Sequence, residues 1–413
     1  MRILFSILLI LNVFSIESPD LNAVVTDNKG NVIKQIGAHW IQPASLSKFL
    51  LASRLTSSLK LDDMWWHGFY GTAHPKKINQ LDYYLYDPIA TTDEIKAHIK
   101  KLKKTGLSEI TRTLRIHHLH NNHHQIGIMR QEDYECYTAY PRDYNIDQNC
   151  TKHIIKPGKT KYVETNGNTL RVKFLSRRYC PYQGDYQPSA VVNKPEYSVW
   201  VNPDEKTLEI CTDNKQDVSV PLKTKFNSSQ VTQLFKQLLT NEGIKTNKIV
   251  TVLDTVKKTP PMQGIASGHT IQQIIKKMVN QSNNYLAYWL TVQIDDPTPF
   301  TQYLSDGSGL SRYNWIDINE VENQYRRILQ EKPWMKKFLP DETHPPLEDY
   351  HFNLSENRKL FLKTGALAQV RNLAGVIEQD GQPLYYFAIS CLHPMAMEGA
   401  CAGPIHDFLS PYL

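Results

Sequence analysis

The stretch Pro43-Ala44-Ser45-Leu46-Ser47-Lys48, which runs into the apolar segment Phe49-Leu50-Leu51-Ala52, indicates the fold and the chemistry of this chain. If this segment is helical, Ser45 and Lys48 lie one turn apart on the same face. A serine hydroxyl becomes a nucleophile when a base takes its proton, and a lysine is that base only when burial or nearby cations keep it neutral. The spacing alone has little specificity, because Ser57 and Lys60 repeat it at a predicted solvated helix end.

The Ser-x-x-Lys motif becomes specific only in combination with two later motifs. Ser282-Asn283-Asn284 lies between two predicted helices, and Lys363-Thr364-Gly365 lies in a predicted strand that precedes a hairpin. In this order, Ser-x-x-Lys, Ser-x-Asn and Lys-Thr-Gly are the signature of penicillin-binding proteins and serine β-lactamases. Lys104-Thr105-Gly106 and Ser355-Glu356-Asn357 have the same letters, but the first matches a helix C-terminus and the second has no helix between it and Lys363.

Five residues of the three motifs are predicted to be catalytic. Ser45 attacks a carbonyl carbon and becomes acylated, with neutral Lys48 as the base. Ser282 relays a proton between Lys48 or Lys363 and the leaving nitrogen, and Asn284 holds Lys48 and the substrate amide. Lys363 adds positive potential to the site.

Three residues around the last motif are predicted to bind the substrate. Thr364 donates a hydrogen bond to a terminal carboxylate, and Gly365 lets the substrate backbone approach the strand edge. The backbone N–H groups of Ser45 and Ala366 form the predicted oxyanion hole.

The chain resembles the class C low-molecular-mass penicillin-binding proteins, which are serine D-alanyl-D-alanine carboxypeptidase/endopeptidases of the penicillin-binding protein 4-like type. The stretches that carry the resemblance are Pro43–Lys48, Gln281–Asn284, Asp306–Arg312, Lys363–Gly365 and Asp380–Leu384, with Asp-Gly-Ser-Gly-Leu-Ser-Arg as the most specific. The resemblance implies an α/β (α+β) fold, with a β-lactamase/transpeptidase-like core of an antiparallel sheet flanked by helices and a large inserted α+β region. It also implies peptidoglycan stem peptides as substrate, β-lactams as covalent inhibitors, and no cofactor or metal.

Two alternatives stay open at this point. A serine β-lactamase is the weaker one, because no glutamate between the second and third motifs has an asparagine four residues later. A non-catalytic cell-wall-binding scaffold with the same fold is disfavoured by the complete set of motif residues.

Composition predicts an exported protein with an insertion. Residues 1–18 have one early positive charge and an apolar run from Ile3 to Phe14, which is typical of a secretory signal peptide. The mature chain is therefore expected in the periplasm, without stable membrane insertion.

Residues 19–61 and 263–413 form the predicted catalytic domain. Residues 62–262, which are rich in Tyr, His, Asn and Lys, form the predicted inserted domain. The mild net charge of +6 gives no case for nucleic acid.

Local signals predict the elements that carry the motifs. Leu21–Thr26 and Val32–Gln35 flank a Gly-containing turn and predict a β-hairpin. Thr91 and Glu94 resemble a capping box that opens an amphipathic helix. Further helices are predicted from Gln230, Ile271 and Ile318, and antiparallel strands from Leu360, Val370 and Pro383.

Histidine and cysteine residues are the candidate metal ligands in this sequence. Five imidazoles stand close together at His117, His118, His120, His123 and His124, but no regular ligand spacing accompanies them, and we interpret them as a surface loop. No Cys-x-x-Cys occurs, which argues against zinc.

The six cysteines suit an oxidising compartment, and fifteen pairings are possible. Pairing of neighbours would join Cys136 to Cys150, Cys180 to Cys211, and Cys391 to Cys401. We predict that at least Cys391–Cys401 forms, because it closes a short loop after the last strand.

Overall fold

The computed structural model describes residues 18–37, 40–70, 76–119, 144–165, 168–176, 190–193, 197–202, 206–213, 216–223, 226–260, 264–291, 293, 304, 306–311, 313–341, 350, 352–396 and 399–413. They divide into two compact units. Unit 1 comprises the described residues of Met1–Arg54, Val279–Ser282 and Pro297–Leu413, and unit 2 those of Leu55–Met278 and Asn283–Asp296.

The regular elements are numbered along the chain. The strands are β1 (Asp20–Asp27), β2 (Val32–Ile36), β3 (Trp40–Ile41), β4 (Met64–Phe69), β5 (Lys77–Leu85), β6 (Glu109–Leu119), β7 (Cys150–Ile155), β8 (Tyr162–Thr165), β9 (Asn168–Leu175), β10 (Ala190–Asn193), β11 (Ser198–Asn202), β12 (Thr207–Cys211), β13 (Val218–Lys223), β14 (Lys245–Asp254), β15 (Ile265–Thr270), β16 (Ile316–Asp317), β17 (Arg358–Leu367), β18 (Val370–Gln379) and β19 (Gln382–Leu392). The α-helices are α1 (Ser47–Ser58), α2 (Thr92–Lys104), α3 (Ser228–Asn241), α4 (Ile271–Asn280), α5 (Asn284–Thr291), α6 (Ile318–Glu331) and α7 (Ala402–Leu409). Short 3₁₀ turns span Ala44–Leu46, Asp147–Asn149, Pro333–Phe338 and Ser410–Tyr412.

Unit 1 is built on an antiparallel sheet with the strand order β17-β18-β19-β1-β2. The predicted hairpin of β1 and β2 is confirmed, and its turn is held by Asp27, whose Oδ1 accepts from the N–H groups of Lys29 and Asn31 at 2.8 Å each. The predicted C-terminal strands are also confirmed as β17, β18 and β19.

Helices pack on both faces of this sheet. Val25 of β1 and Phe387 of β19 belong to one buried cluster with Phe408 of α7. Side chains alternate along a strand, so Thr26 points to the other face, where its Oγ1 donates to Glu322 Oε1 of α6 at 2.5 Å.

The predicted disulfide between Cys391 and Cys401 is confirmed, and it links the end of β19 to the start of α7 across a Cα–Cα distance of 5.8 Å. Cys150 and Cys211 also form disulfide bonds. Pairing of neighbours would join them to Cys136 and Cys180, which lie outside the described residues, so these two pairings stay open.

The main sheet of unit 2 is mixed and has the order β14-β6-β5-β4-β15. Strands β5, β6 and β14 run parallel, while β4 pairs antiparallel with β5 and β15. Helices α2 and α3 pack on this sheet, with Ile99 and Phe235 in one buried cluster together with Tyr83 of β5. The predicted capping box at Thr91 and Glu94 is confirmed at the start of α2.

Unit 2 also contains a sheet with the order β10-β11-β12-β9-β8 and the antiparallel pair β13-β7. Composition placed an inserted domain at 62–262 and a catalytic domain at 19–61 and 263–413, and this division stays a prediction. Strand β15, just beyond residue 262, pairs with β4 inside unit 2.

The interpretation of the histidine cluster as a surface loop is wrong for His117 and His118. Both are buried residues of β6. His117 lies between two carboxylates, with Nε2 2.8 Å from Asp82 Oδ1 and Nδ1 3.1 Å from Asp254 Oδ2. His120, His123 and His124 lie outside the described residues. Among the residues that are described, no group of three or more His, Cys, Asp or Glu side chains is arranged to hold a metal ion.

Candidate active site

The backbone around Ser45 is tightly wound. Ala44 has a φ of +48°, in the left-handed region that a non-glycine residue rarely adopts. Ser45 then lies in the 3₁₀ turn Ala44–Leu46, and α1 begins at Ser47, two residues later than the helix predicted from Ser45. Lys48 follows in the first turn of α1, and residues three apart along a helical turn lie on the same face, which brings Ser45 and Lys48 together.

Lys48 is a fully buried lysine beside this serine. Its Nζ lies 2.8 Å from Ser45 Oγ and 2.6 Å from the backbone carbonyl oxygen of Ser308. Burial, and next the positive charge of Lys363, hold the pKa of Lys48 well below its usual value, while the charge of Asp306 opposes them. A neutral amine within hydrogen-bond distance of a hydroxyl is what a general base requires.

The loop from Asp306 to Ser311 positions the carbonyl group that Lys48 contacts. The buried carboxylate of Asp306 accepts hydrogen bonds from the N–H groups of Gly309 at 2.5 Å and Ser311 at 2.8 Å. Gly309 has a φ of +83°, and a Cβ on it would lie 1.7 Å from the carbonyl oxygen of Ala44. Only glycine therefore allows the loop to lie this close to the turn that carries Ser45.

From the sequence alone, Asp306 is part of a specific motif and has no predicted role. The signal was a carboxylate followed by small residues, Gly307-Ser308-Gly309, which is typical of a loop that folds around an acidic side chain.

A second buried lysine belongs to the same site. Lys363 Nζ lies 2.9 Å from Ser282 Oγ and donates to the backbone carbonyl of Thr364 at 2.9 Å. Burial lowers the pKa of Lys363 to about 7. Ser282 lies in the turn between α4 and α5 with a φ of +52°, in the left-handed region that a non-glycine residue rarely adopts.

Strand β17 runs along the turn that carries Ser45. Gly365 allows this approach, because a Cβ on it would lie 2.8 Å from the Pro43 carbonyl oxygen and 3.2 Å from the Ser45 nitrogen. Ala366 is exposed and Thr364 half-buried. β17 is the edge strand of its sheet, and an edge strand can pair with an extended peptide.

Unit 1 thus brings together Ser45, Lys48, Ser282, Lys363 and the Thr364–Ala366 segment. Asn284, the first residue of α5, belongs to unit 2, and its predicted contact with Lys48 stays a prediction.

In chemical terms, a serine hydroxyl beside a lysine amine can act as the nucleophile of an acyl transfer, with the neutral lysine as its base. A hydroxyl beside a neutral amine, a second lysine–serine pair and a strand edge next to the nucleophile suit the cleavage of a peptide bond near a peptide end.

A family model described as the D-Ala-D-Ala carboxypeptidase 3 (S13) family matches residues 23–301, and the chain belongs to this family. The predicted enzyme class, a serine-type D-Ala-D-Ala peptidase, and the resemblance that led to it are thereby confirmed. A search of curated protein sequences gives no match.

Solved structures agree on the fold. The chain is similar to penicillin binding protein 4 (dacB) from Haemophilus influenzae, with a TM-score of 0.68 and 16% identity over 95% of this chain and 97% of that chain. It is also similar to Bd3459, a predatory peptidoglycan endopeptidase from Bdellovibrio bacteriovorus, with a TM-score of 0.51 and 12% identity over 96% of this chain and 92% of that chain. The predicted fold class is confirmed by these similarities.

Proposed function

We propose that this chain is a serine DD-peptidase that acts on peptidoglycan stem peptides, as a D-alanyl-D-alanine carboxypeptidase, an endopeptidase or both, through an acyl-enzyme on Ser45. The observation that carries the proposal is the 2.8 Å distance between Lys48 Nζ and Ser45 Oγ at a buried lysine. A protonated lysine could not take the serine proton, and burial lowers the pKa of Lys48, which favours the neutral amine.

Acylation follows from these positions. Lys48 takes the proton of Ser45 Oγ, and the oxygen attacks the carbonyl carbon of the penultimate D-alanine. The backbone N–H groups of Ser45 and Ala366 stabilise the negative charge on the carbonyl oxygen. The carbon–nitrogen bond then breaks, and the proton that Lys48 took passes through Ser282 to the leaving amine, which leaves Lys48 neutral again. Water hydrolyses the ester in the second half of the cycle and restores Ser45.

The rest of the site binds the end of the peptide. The extended substrate lies along β17, where Gly365 leaves room for its backbone. Thr364 donates to the terminal carboxylate, and Lys363 supplies positive potential when it is protonated. Asn284 holds the substrate amide.

We also propose that β-lactams acylate Ser45, because they offer a carbonyl group to the same nucleophile and retain their leaving group. A structure of Bd3459 acylated by penicillin G supports this step.

The proposed location is the periplasm, after removal of the signal peptide at residues 1–18. None of the helices that the structure describes combines the length and the apolar character needed to cross a membrane. The proposed partner is peptidoglycan, and nucleic acid has no proposed role.

A labelled penicillin tests the nucleophile. We expect a covalent adduct that mass spectrometry locates on Ser45, and no adduct on the Ser45→Ala variant. Lys48→Ala should slow labelling severely, because it removes the base. Ser57→Ala is the matched control, since Ser57 lies exposed at the end of α1 and should leave labelling unchanged.

Digestion of purified sacculi completes the test. Release of D-alanine indicates a carboxypeptidase, and loss of cross-linked dimers an endopeptidase. Labelling of Ser45→Ala at the wild-type rate would refute the proposal, and so would a chain that binds sacculi but neither takes the label nor releases a product.

A further inference from the structure

Strands β3 and β16 of unit 1 lie next to large exposed aromatic side chains. Trp40 is 51% exposed, Trp315 45% and Tyr313 69%. Between and beside them, Ile41, Asn314 and Ile316 are buried. Exposed and buried residues alternate from Tyr313, in a turn closed by the hydrogen bond from the Asn314 N–H to the Ser311 carbonyl, to Ile316 of β16. We call Trp40, Tyr313 and Trp315 the aromatic face.

The strand pairing puts the two tryptophans on the same side of the ribbon. Asp317 pairs with Trp40, and Ile316 pairs with Ile41 in antiparallel register. Trp315 directly precedes β16 and is exposed like Trp40, whereas the paired residues Ile316 and Ile41 are buried. Both tryptophans therefore lie on the exposed side of this short ribbon.

Both segments of the aromatic face lead into the active site. The chain runs from Trp40 through Gln42 and Pro43 to Ser45. On the other segment, Asn314 is the buried residue between Tyr313 and Trp315 in the sequence, and its side chain donates to Asp306 Oδ1 at 3.2 Å and accepts from the Asp306 N–H at 3.3 Å. The aromatic face is therefore fixed to the loop that contacts Lys48.

A cluster of exposed aromatic side chains beside a reactive serine is typical of a binding surface. Polar groups lie next to it, because Gln42 follows Trp40 by two residues and Asp317 pairs with Trp40. One oxygen of Asp317 accepts from the Asn319 N–H at 2.8 Å. A sugar ring matches this combination, since its C–H face stacks on an aromatic ring and its hydroxyl and acetamido groups bind amides and carboxylates.

We propose that the aromatic face binds amino-sugar rings of the glycan strand from which the stem peptide extends. This inference rests on the proposed function, because it is the peptidoglycan peptide in the active site that brings its glycan next to Trp40. It adds a sugar-binding site to the peptide site along β17, so a glycan-linked peptide binds better than the same peptide free in solution.

Binding without turnover tests the inference in the full chain carrying Ser45→Ala. The probe is a peptide-free glycan oligosaccharide of alternating N-acetylglucosamine and N-acetylmuramic acid, titrated by calorimetry. We expect saturable binding, which Trp40→Ala or Trp315→Ala weakens at least about tenfold, the effect of removing a central aromatic contact. Trp40→Tyr should restore most of the affinity. The control is Trp334→Ala, which removes a 37% exposed tryptophan elsewhere in unit 1 and should change nothing.

A turnover assay in chains with Ser45 intact gives the second measurement. The ratio of kcat/KM for a glycan-linked peptide to kcat/KM for the free peptide should fall at least about tenfold in Trp40→Ala. Absence of oligosaccharide binding overturns the inference, and so does an equal loss in Trp334→Ala or an unchanged ratio. Failure of the proposed function would appear separately, as absence of penicillin label on Ser45, because the calorimetry needs no hydrolysis.

Discussion

Replacing Lys363 by methionine should stabilise the protein at pH 7 and lose that advantage as the pH rises. Lys363 is buried and its pKa is lowered from 10.5 to about 7 by burial. Methionine has a similar length and no charge, so Lys363→Met removes the cost of burying an amine that water would protonate.

The magnitude follows from the linkage between proton binding and folding. Between pH 7 and 10.5 the unfolded chain holds a proton on this lysine that the folded chain has lost, so the free energy of unfolding rises with pH in that window. The buried lysine costs about 4 kcal/mol at pH 7 and about 2 kcal/mol at pH 9. The variant loses the contacts of Lys363 with Ser282 and the Thr364 carbonyl, which costs about 1–3 kcal/mol at either pH. The net gain is therefore about 1–3 kcal/mol at pH 7 and about zero at pH 9.

Urea unfolding at pH 7, 8 and 9, with the disulfides intact, measures this difference. Lys359→Met is the matched control, because Lys359 is an exposed lysine of the same strand and its replacement should give no pH-dependent difference. A Lys363→Met variant that is less stable than the wild type at all three pH values, or a difference that does not change with pH, would refute the reasoning. The variant should also lose most of its reactivity with penicillin, which separates the stability of the site from its function.

Two further predictions concern the supports of the site. Asp306→Asn should lower the free energy of unfolding by about 1–3 kcal/mol and slow penicillin labelling, because an amide has only one oxygen to accept hydrogen bonds from the loop that contacts Lys48. Asp380→Asn, in an exposed turn, is the control. Equal behaviour of the two variants in urea unfolding and labelling would count against the role of Asp306. Replacing Cys391 and Cys401 together by alanine should lower the urea midpoint by the equivalent of about 3 kcal/mol, because the closed loop no longer restricts the unfolded chain. Peptide mapping without reductant that finds both thiols free in the wild type would remove that expectation.

The elements that could be predicted from the sequence are those fixed by local interactions. The capping box of Thr91 and Glu94 is complete within four residues, and the hairpin turn at Asp27 within five. Ser45 and Lys48 are three residues apart in one turn, so their contact is local and could be predicted from the sequence. The order of the three motifs added the second pair, Ser282 with Lys363.

What could not be predicted depends on contacts between distant parts of the chain. No local pattern around Ser45 indicates the left-handed conformation of Ala44 or its close approach to Gly309. His117 lies buried between two carboxylates from other strands, Asp82 and Asp254, so its histidine-rich neighbourhood gave the wrong interpretation. Neither partner is near in sequence, and pairing of strands decides both contacts.

The strand order of unit 1 has a consequence for how the molecule folds. β1 lies between β2 and β19, and Asp20 pairs with Leu392. A chain that emerges with its N-terminus first can complete the main sheet of unit 2, from β4 to β15, long before β19 is available. During that time the hairpin of β1 and β2 has one open strand edge, and open apolar edges favour aggregation. Closing so long a loop is slow because the ordering entropy is lost before the contact forms. Ser45 lies in a turn next to β17 of the same sheet, so it reaches its final position only after β19 has paired with β1 and β18.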